Sequence, residues 1–336
     1  YVNLPANKIE LWARIEADRL INPVFREFYT ERDVILEERR QSIETNPDGK
    51  LYESFMSTAY KVHPYGVPII GYPQDLAYIS QAAIRRMHQK YLSPENMIIA
   101  VVGDIDPLKT LKLINQYFGL IPKGNLQSAV IPSEPPQTGE RKVEVLFDAN
   151  PSMIIGYHKP TAPAVEDYVF DVLETILSKG RTSRLYSKLV LQTQIADSIS
   201  SHNGMPATRY ANLFAILARP RYPHTNEELQ TAILRELEIL KTHPVTDLEL
   251  TKAKNQLKMD YIKSLDSNSE LASILSYYEL LLGDYRYFSN YISNIDKVTA
   301  MDIRTAAEKY LSVENRTIAV LNKKVNADAN TSKNEK

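Results

Sequence analysis

Hydrophobic residues recur at helical spacing over most of the chain, and short β-branched runs lie between the helical segments. In the first part, this pattern predicts helices near 6–21, 27–45, 50–60, 80–91 and 106–118. One apolar run predicts a strand at about 96–103, which ends in Gly103-Asp104. The first part of the chain is therefore predicted to contain five helices and one strand.

The second part opens with strand-like patterns that predict strands near 141–148, 152–159, 194–203 and 209–219. Helical spacing predicts helices near 164–178, 183–192, 225–242, 246–265, 269–283 and 299–310. A run of strands followed by helices is typical of a layered α+β fold rather than of an alternating parallel one.

A repeat relates the two parts of the chain. Ile84–Val102 parallels Ile303–Leu321, at a constant offset of 219 residues (303 − 84). In both copies a helix leads through Tyr-Leu-Ser and Glu-Asn to a β-branched strand. One short unit can match another by chance, but the shared order of elements over this length favours two homologous domains in tandem. We therefore predict an α+β chain of two layered domains, with mixed or antiparallel sheets covered by helices.

The predicted domain boundary lies in residues 121–139, which are rich in proline, glycine and serine and have little periodicity. Such a composition is typical of an extended linker. It would join a first domain, residues 1–120, to a second domain, residues 140–324. The polar tail at 325–336 is predicted to be disordered.

The composition is that of a globular protein, with 43% apolar and 24% charged residues. Forty basic side chains balance 41 acidic ones, so nothing indicates nucleic-acid or anionic-membrane binding. The absence of cysteine excludes disulfides and thiolate metal sites. No apolar run approaches the roughly 20 residues that span a bilayer. The lack of cysteine fits either the cytoplasm or the periplasm, of which we favour the periplasm.

Two glutamates, Glu31 and Glu38, are the most informative residues for function. Seven residues make nearly two helical turns, so both carboxylates project from one face of the predicted helix. Val34 and Ile35 lie between them, which predicts a half-buried face where two acids need a positive neighbour. On spacing alone, surface ion pairs would provide it, formed with Arg32, Arg39 or Arg40.

The segment from Glu31 to Glu38 reads Glu-Arg-Asp-Val-Ile-Leu-Glu-Glu. It resembles the Glu-Arg-x-Val-Ile-x-x-Glu segment of the pitrilysin-like (M16) zinc metallopeptidases, which follows an inverted His-x-x-Glu-His zinc motif. Residues 16–20, 46–49 and 63–66 resemble that family too, and a weaker similarity continues to about Leu321. The resemblance implies that Glu38 is the third zinc ligand and that Glu31 orients a ligand histidine.

The other half of that zinc site is missing from the sequence. None of the six histidines lies in His-x-x-Glu-His or in His-Glu-x-x-His: His63, His88, His158, His202, His224 and His243. Family spacing places the motif about forty residues before Tyr1, so we expect an N-terminally truncated subunit. A catalytic zinc needs three protein ligands. The 336-residue chain is therefore expected to be inactive by itself, and the full-length subunit to bind one zinc ion.

A second departure from the family concerns substrate binding. Pitrilysin-like peptidases place an arginine and a tyrosine seven residues apart, after a leucine, to hold the substrate carbonyl and the developing oxyanion. After Leu189 this chain has Val190 and Asp197 at those places, and no tyrosine lies between Tyr186 and Tyr210. The resemblance therefore implies a paralogous partner that supplies the pair. It also implies a heterodimer or homodimer that encloses a peptide substrate in a chamber.

The tetrapeptide His63-Pro64-Tyr65-Gly66 predicts a capped turn with a packed tyrosine, and a position near substrate is the alternative.

The favoured function is thus that of a zinc metallopeptidase subunit that cleaves unfolded peptides. A non-catalytic scaffold subunit of the same fold is the alternative, and the retention of Glu31 and Glu38 argues against it. An unrelated α+β binding protein would require both the motif and the repeat to be accidental.

Overall fold

The computed structural model of the chain describes residues 1–124 and 130–324. Part of the predicted linker, residues 125–129, and the whole predicted disordered tail, residues 325–336, lie outside the described residues. The chain divides into two compact units. The first comprises Tyr1–Glu37, Gly71–Val130 and Leu257–Asn294, and the second Glu38–Ile70, Ile131–Gln256 and Ile295–Lys336.

The first part of the chain contains the five predicted helices. Its helices are α1 (Ile9–Ile21), α2 (Phe28–Arg39), α3 (Pro47–Ala59), α4 (Pro73–Tyr78), α5 (Gln81–Tyr91) and α6 (Pro107–Phe118). A π-helical turn, Arg40–Glu44, continues α2. Proline at the first position of a helix costs little, and the Asn46 and Asp106 side chains cap α3 and α6 by accepting backbone N–H groups.

The strand predicted at 96–103 is not formed, and this prediction was wrong. Residues 97–102 adopt no regular structure, and no described strand pairs with them. A β-branched run shows only a tendency to extend, and a strand also needs a neighbour to bond its backbone groups. Ile98 and Ile99 remain partly exposed there.

The second part contains five strands: β1 (Arg141–Phe147), β2 (Ser152–Lys159), β3 (Ala196–Met205), β4 (Asn212–Pro220) and β5 (Arg316–Lys323). Its helices are α7 (Val165–Ser178), a π-helix (Tyr186–Gln192), α8 (Asn226–Thr242), α9 (Asp247–Lys263), α10 (Asn268–Leu282), α11 (Tyr291–Lys297) and α12 (Ala300–Tyr310). The predicted bounds agree within three residues at nearly every element. Helices α4 and α11 were not predicted. Among the described residues, no helix combines the length and apolar character needed to cross a bilayer.

The strands form one mixed sheet in the order β1-β5-β2-β4-β3. Strand β5 pairs in parallel with β1 and antiparallel with β2, and the other pairs are antiparallel. Strands β2 and β4 are buried over nearly their whole length because both lie inside the sheet. The predicted α+β class is therefore confirmed. Mixed or antiparallel sheets were predicted in both domains, and the described residues form one mixed sheet, in the second unit.

Helix α3 covers part of one face of this sheet, and α7, α8 and α12 contact its strands as well. Phe55 of α3 is fully buried among apolar side chains of the sheet. Gly156 in β2 makes this close approach possible, since a Cβ atom there would lie 2.5 Å from Phe55 Cζ. The cluster around Phe55 forms the core of the second unit on this face.

The repeat extends well beyond the residues that first revealed it. Subtracting 219 from the bounds of α8, α9, α10 and α12 gives 7–23, 28–44, 49–63 and 81–91, which match α1, α2 with its π-helical turn, α3 and α5. However, α3 lies in the compact unit that contains the sheet, whereas α10 lies in the other unit. The compact units are defined by contacts in space, whereas the predicted domains are continuous segments of the sequence. The two divisions are not comparable, so the predicted domain boundaries stay a prediction.

An ion pair in the second unit gives a pH-dependent contribution to stability. Arg184 binds the Glu249 carboxylate through Nε and Nη2, at 2.5 and 2.9 Å. The side-chain hydrogen bond from Arg184 is the main cause that lowers the pKa of Glu249 to about 2. A depressed folded pKa stabilises the fold above the unfolded value near 4.5, and that stability is lost as pH falls through about 2.

We therefore expect Glu249→Gln to lower the free energy of unfolding by about 1–2 kcal/mol at neutral pH, allowing for partial exposure. Urea unfolding from pH 7 to pH 2 measures this. The difference between wild type and variant should shrink between pH 4.5 and pH 2. A difference that does not change with pH would contradict the assignment.

Candidate functional site

Glu31 and Glu38 both lie on α2, and the structure places both side chains in solvent. The expected half-buried face is more open than predicted, since Val34 is exposed and only Ile35 is partly buried. The two carboxylates therefore need no partner to offset burial. They are free to meet a ligand.

Neither carboxylate forms an ion pair or side-chain hydrogen bond within residues 1–124 and 130–324. Arg32 binds Asp33 and the carbonyl of Ala77 instead. Arg39 is buried and binds Glu53 at 2.7 Å, with Glu44 at 3.7 Å. The explanation by ion pairs with Arg32 or Arg39 therefore fails in this structure.

The buried Arg39 has a second consequence for Glu38, its neighbour in the chain. The bond to Glu53 joins the end of α2 to α3, within the second unit. At this point α2 becomes the π-helical turn, a feature often found at functional sites. The backbone that carries Glu38 is thereby held in place, while its side chain remains exposed.

The second copy of the repeat shows that the fold does not require these acids. At the offset of 219 residues, Glu31 corresponds to Leu250 and Glu38 to Leu257 in α9. Leu257 is buried, and Leu250 is partly buried. The same helical positions thus serve packing in one copy and carry exposed carboxylates in the other. The packing of this helix pair therefore does not explain the two carboxylates of the first copy.

As metal donors, the residues present fit part of a zinc site. A carboxylate oxygen is a normal zinc ligand, and Glu38 is accessible. Among the described residues, no three His, Cys, Asp or Glu side chains are close enough together to hold a metal ion. Glu38 could therefore supply one ligand of a site whose other ligands lie elsewhere.

The positions predicted to lack the substrate-binding pair are Val190 and Asp197. Val190 is buried in the π-helix Tyr186–Gln192, and Asp197 is exposed near the start of β3. A valine has no donor and an aspartate would repel a developing oxyanion. Nearby Arg184 is occupied by Glu249. These residues therefore offer nothing to a developing oxyanion.

The turn at His63 has the predicted capped geometry. The Nδ1 atom of His63 accepts the Tyr65 backbone N–H at 3.1 Å, and the Tyr65 hydroxyl accepts the backbone N–H of Tyr210 at 3.1 Å. Burial lowers the pKa of His63, although Glu134 opposes this. The histidine is thus a buried structural residue.

Sequence reasoning missed Glu134, which holds this turn. Its carboxylate accepts the backbone N–H groups of Lys61, Val62 and His63 at 2.9–3.1 Å. Burial would raise the pKa of Glu134, but the three amide hydrogen bonds together hold it below its usual value. No sequence signal marks this contact, because 71 to 73 residues separate the partners.

Comparison with known proteins adds four findings. Residues 78–257 match the family model described as peptidase M16 inactive domain. The zinc protease PqqE of Helicobacter pylori is 32% identical over 290 residues, which cover 84% of this chain and 64% of that protein. A probable mitochondrial-processing peptidase subunit beta of Arabidopsis thaliana is 25% identical over 310 residues, or 88% of this chain and 57% of that protein.

A solved structure of a protease from Helicobacter pylori superposes with a TM-score of 0.86 and 29% identity, over 94% of this chain and 77% of that one. The 290 residues aligned with the zinc protease PqqE cover 64% of that protein, so this chain spans less than two thirds of its length.

Proposed function

Because the chain belongs to the peptidase M16 family, we propose that it is the zinc-bearing subunit of a metallopeptidase that hydrolyses unfolded peptides. The observation that carries this proposal is the exposed pair Glu31 and Glu38, at positions where the second copy has Leu250 and Leu257. The zinc protease named among the relatives supports it.

In this proposal Glu38 supplies one oxygen ligand, and two histidines of a His-x-x-Glu-His motif outside the 336 residues supply the others. Glu31, two turns earlier on α2, accepts the free ring N–H of a ligand histidine and fixes its orientation. A bound zinc ion would polarise the scissile carbonyl and activate water for the attack. Arg39 and Glu53 keep the end of α2 in position.

A partner subunit is part of the proposal because Val190 and Asp197 cannot stabilise an oxyanion. A paralogous chain would supply an arginine and a tyrosine, and the two chains would enclose the peptide. One relative is named as a subunit of a processing peptidase, which supports a paired arrangement. A closed chamber would admit unfolded peptides and exclude folded proteins.

A second candidate is a non-catalytic scaffold subunit. The matched family model carries the description of an inactive domain, which favours this candidate. The two candidates differ in whether the full-length chain binds zinc, because a scaffold subunit does not need the metal.

The experiment is to express the full-length gene product with and without its candidate paralogue. Zinc content is measured by elemental analysis, and cleavage with a quenched fluorescent peptide. The proposal expects about one zinc per chain and cleavage only with the paralogue present. A full-length chain that binds no zinc would overturn it and favour the scaffold subunit.

A further inference from the structure

The turn that follows α3 is held by two titratable side chains, Glu134 and His63, both in the second unit. The Glu134 carboxylate accepts the backbone N–H groups of Lys61, Val62 and His63 at 2.9–3.1 Å. The Nδ1 atom of His63 in turn accepts the backbone N–H of Tyr65 at 3.1 Å. The turn at residues 61–66 therefore depends on two acceptors that a proton can remove.

The hydrogen bond to Nδ1 fixes the protonation state of His63. A backbone N–H can only donate, so Nδ1 carries no proton and the neutral ring holds its proton on Nε2. Protonation would turn Nδ1 into a donor that faces another donor, and the bond from Tyr65 would be lost. His63 is 7% exposed, so little water can reach the ring to replace that bond. The closed turn thus requires a neutral His63.

Glu134 has the corresponding requirement for its ionised form. A carboxylate that accepts three backbone N–H groups binds them more strongly than a neutral carboxylic acid does. Arg141 adds to this requirement, because its Nη1 atom lies 3.6 Å from Glu134 Oε1. Burial would raise the pKa of Glu134, but the three amide hydrogen bonds together hold it below its usual value of 4.5.

Both requirements fail in the same direction of pH. Burial lowers the pKa of His63 below its ordinary value of 6.5, although the charge of Glu134 opposes this. Each group therefore takes up a proton more readily when the turn is open than when it is closed. The closed turn loses stability as pH falls below 6.5, first through His63 and, below 4.5, through Glu134 as well.

The other titratable and charged groups around this turn come from every element packed against it. They are Tyr60 at the end of α3, Tyr65 in the turn, Arg141 in β1, His158 in β2 and Tyr210 before β4. Tyrosine and arginine side chains do not change charge in this pH range. His158 Nε2 lies 3.0 Å from the carbonyl oxygen of Ala59, and protonation at its Nδ1 would leave that bond in place.

The linker segment that carries Glu134 has a second attachment, which does not titrate. Gln137 Nε2 donates to the carbonyl of Arg316 at 2.7 Å, and Gln137 Oε1 accepts the hydroxyl of Thr317 at 3.3 Å. Both partners lie in β5. Acid would therefore separate the Glu134 end of this segment from the turn, while Gln137 stays attached to the sheet.

We propose that Glu134 and His63 form an acid-sensitive switch, which holds residues 61–66 against the linker at neutral pH and releases them in acid. The switch involves neither zinc nor substrate, so it stands or falls independently of the proposed peptidase. It predicts a local opening within a folded protein rather than unfolding of the second unit.

Hydrogen–deuterium exchange of the full-length gene product, followed by mass spectrometry, measures this opening at pH 7, pH 6 and pH 5. Rates for peptides that cover residues 61–66 are divided by those of the same sequence as an unstructured peptide at each pH, which gives protection factors. We expect the protection of residues 61–66 to fall by up to about tenfold per pH unit below 6.5. Peptides from β4, inside the sheet, should keep their protection.

Two variants separate the two groups. In His63→Asn, the side-chain oxygen can accept the Tyr65 N–H at any pH, so the turn should stay protected at pH 7 and no longer open between pH 7 and pH 5. In Glu134→Gln the charge is absent at every pH, so protection should already be lower at pH 7, by about tenfold or more. Asp148→Asn is the matched control, because that carboxylate is exposed and its contact with Lys323 is long, at 3.8 Å.

Three results would contradict the switch. Equal protection of residues 61–66 at pH 7 and pH 5 in the wild-type protein would overturn it. So would a loss of protection that β4 shares, because acid would then unfold the unit as a whole. A fall in His63→Asn as large as that in wild type would also overturn it, since the imidazole ring would not be its cause.

Discussion

Glu38→Gln in the full-length gene product is expected to abolish stoichiometric zinc binding and lower kcat/KM by about 10³-fold or more. A neutral amide is a much weaker zinc ligand than a carboxylate, and the several kcal/mol that the metal contributes to the transition state would be lost. The side chain is exposed and unpaired among the described residues, so the variant should fold normally. Elemental analysis and cleavage of a quenched peptide, in the presence of the paralogue, measure both effects.

Two neighbouring carboxylates give this prediction its controls. Glu31→Gln should lower zinc affinity or activity by about 10–100-fold, the range for a residue that orients a ligand. Glu37→Gln should change neither, because one residue along a helix turns the side chain about 100° away from the Glu31–Glu38 face. Equal effects of all three substitutions would show that α2 responds to lost charge and not to a lost ligand.

The sequence was informative about local structure because the signals are local. Asn46 followed by Pro47 marks the start of α3, and Asp106 followed by Pro107 marks that of α6. Helical spacing predicts both elements. The strands predicted near 141–148, 152–159, 194–203 and 209–219 are present as β1 to β4. The parallel pairing of β1 with β5, which makes the sheet mixed, joins residues far apart in the chain.

Features that depend on distant contacts could not be predicted in this way. The apolar run at 96–103 has the composition of a strand, but a strand forms only beside a neighbour. The hydrogen bonds from the backbone N–H groups of Lys61 and His63 to the Glu134 carboxylate join residues more than 70 positions apart in the chain. The periodicity of the sequence predicts neither the missing strand partner nor the contact of Glu134.

The candidate site could be predicted from the sequence only in part. The spacing of Glu31 and Glu38 is a local property, and the helix that aligns them was predicted correctly. Their exposure was not, because Val34 and Ile35 suggested a more buried face. The contrast with Leu250 and Leu257 became visible only when the structure extended the repeat to α9.

Asp167→Ala is expected to destabilise the second unit strongly, because it removes the partner of a fully buried lysine. Lys159 has no exposed side-chain surface, and its ammonium lies 2.6 Å from Asp167 Oδ1 and 2.9 Å from the Pro160 carbonyl. Removing the carboxylate leaves a buried charge with one neutral acceptor, and also removes an acceptor from Asn203. We expect a loss of about 3–5 kcal/mol in the free energy of unfolding.

Adding Lys159→Met to this variant should recover most of the loss, because an apolar side chain of similar length needs no counter-charge in the same space. Asp148→Ala serves as the control, since Asp148 is exposed and its contact with Lys323 is long, at 3.8 Å. Urea unfolding followed by circular dichroism ranks the four proteins. A double variant as unstable as Asp167→Ala would show that Asp167 acts through Asn203 and α7 rather than through the buried lysine, because the charge would then be absent and the loss unchanged.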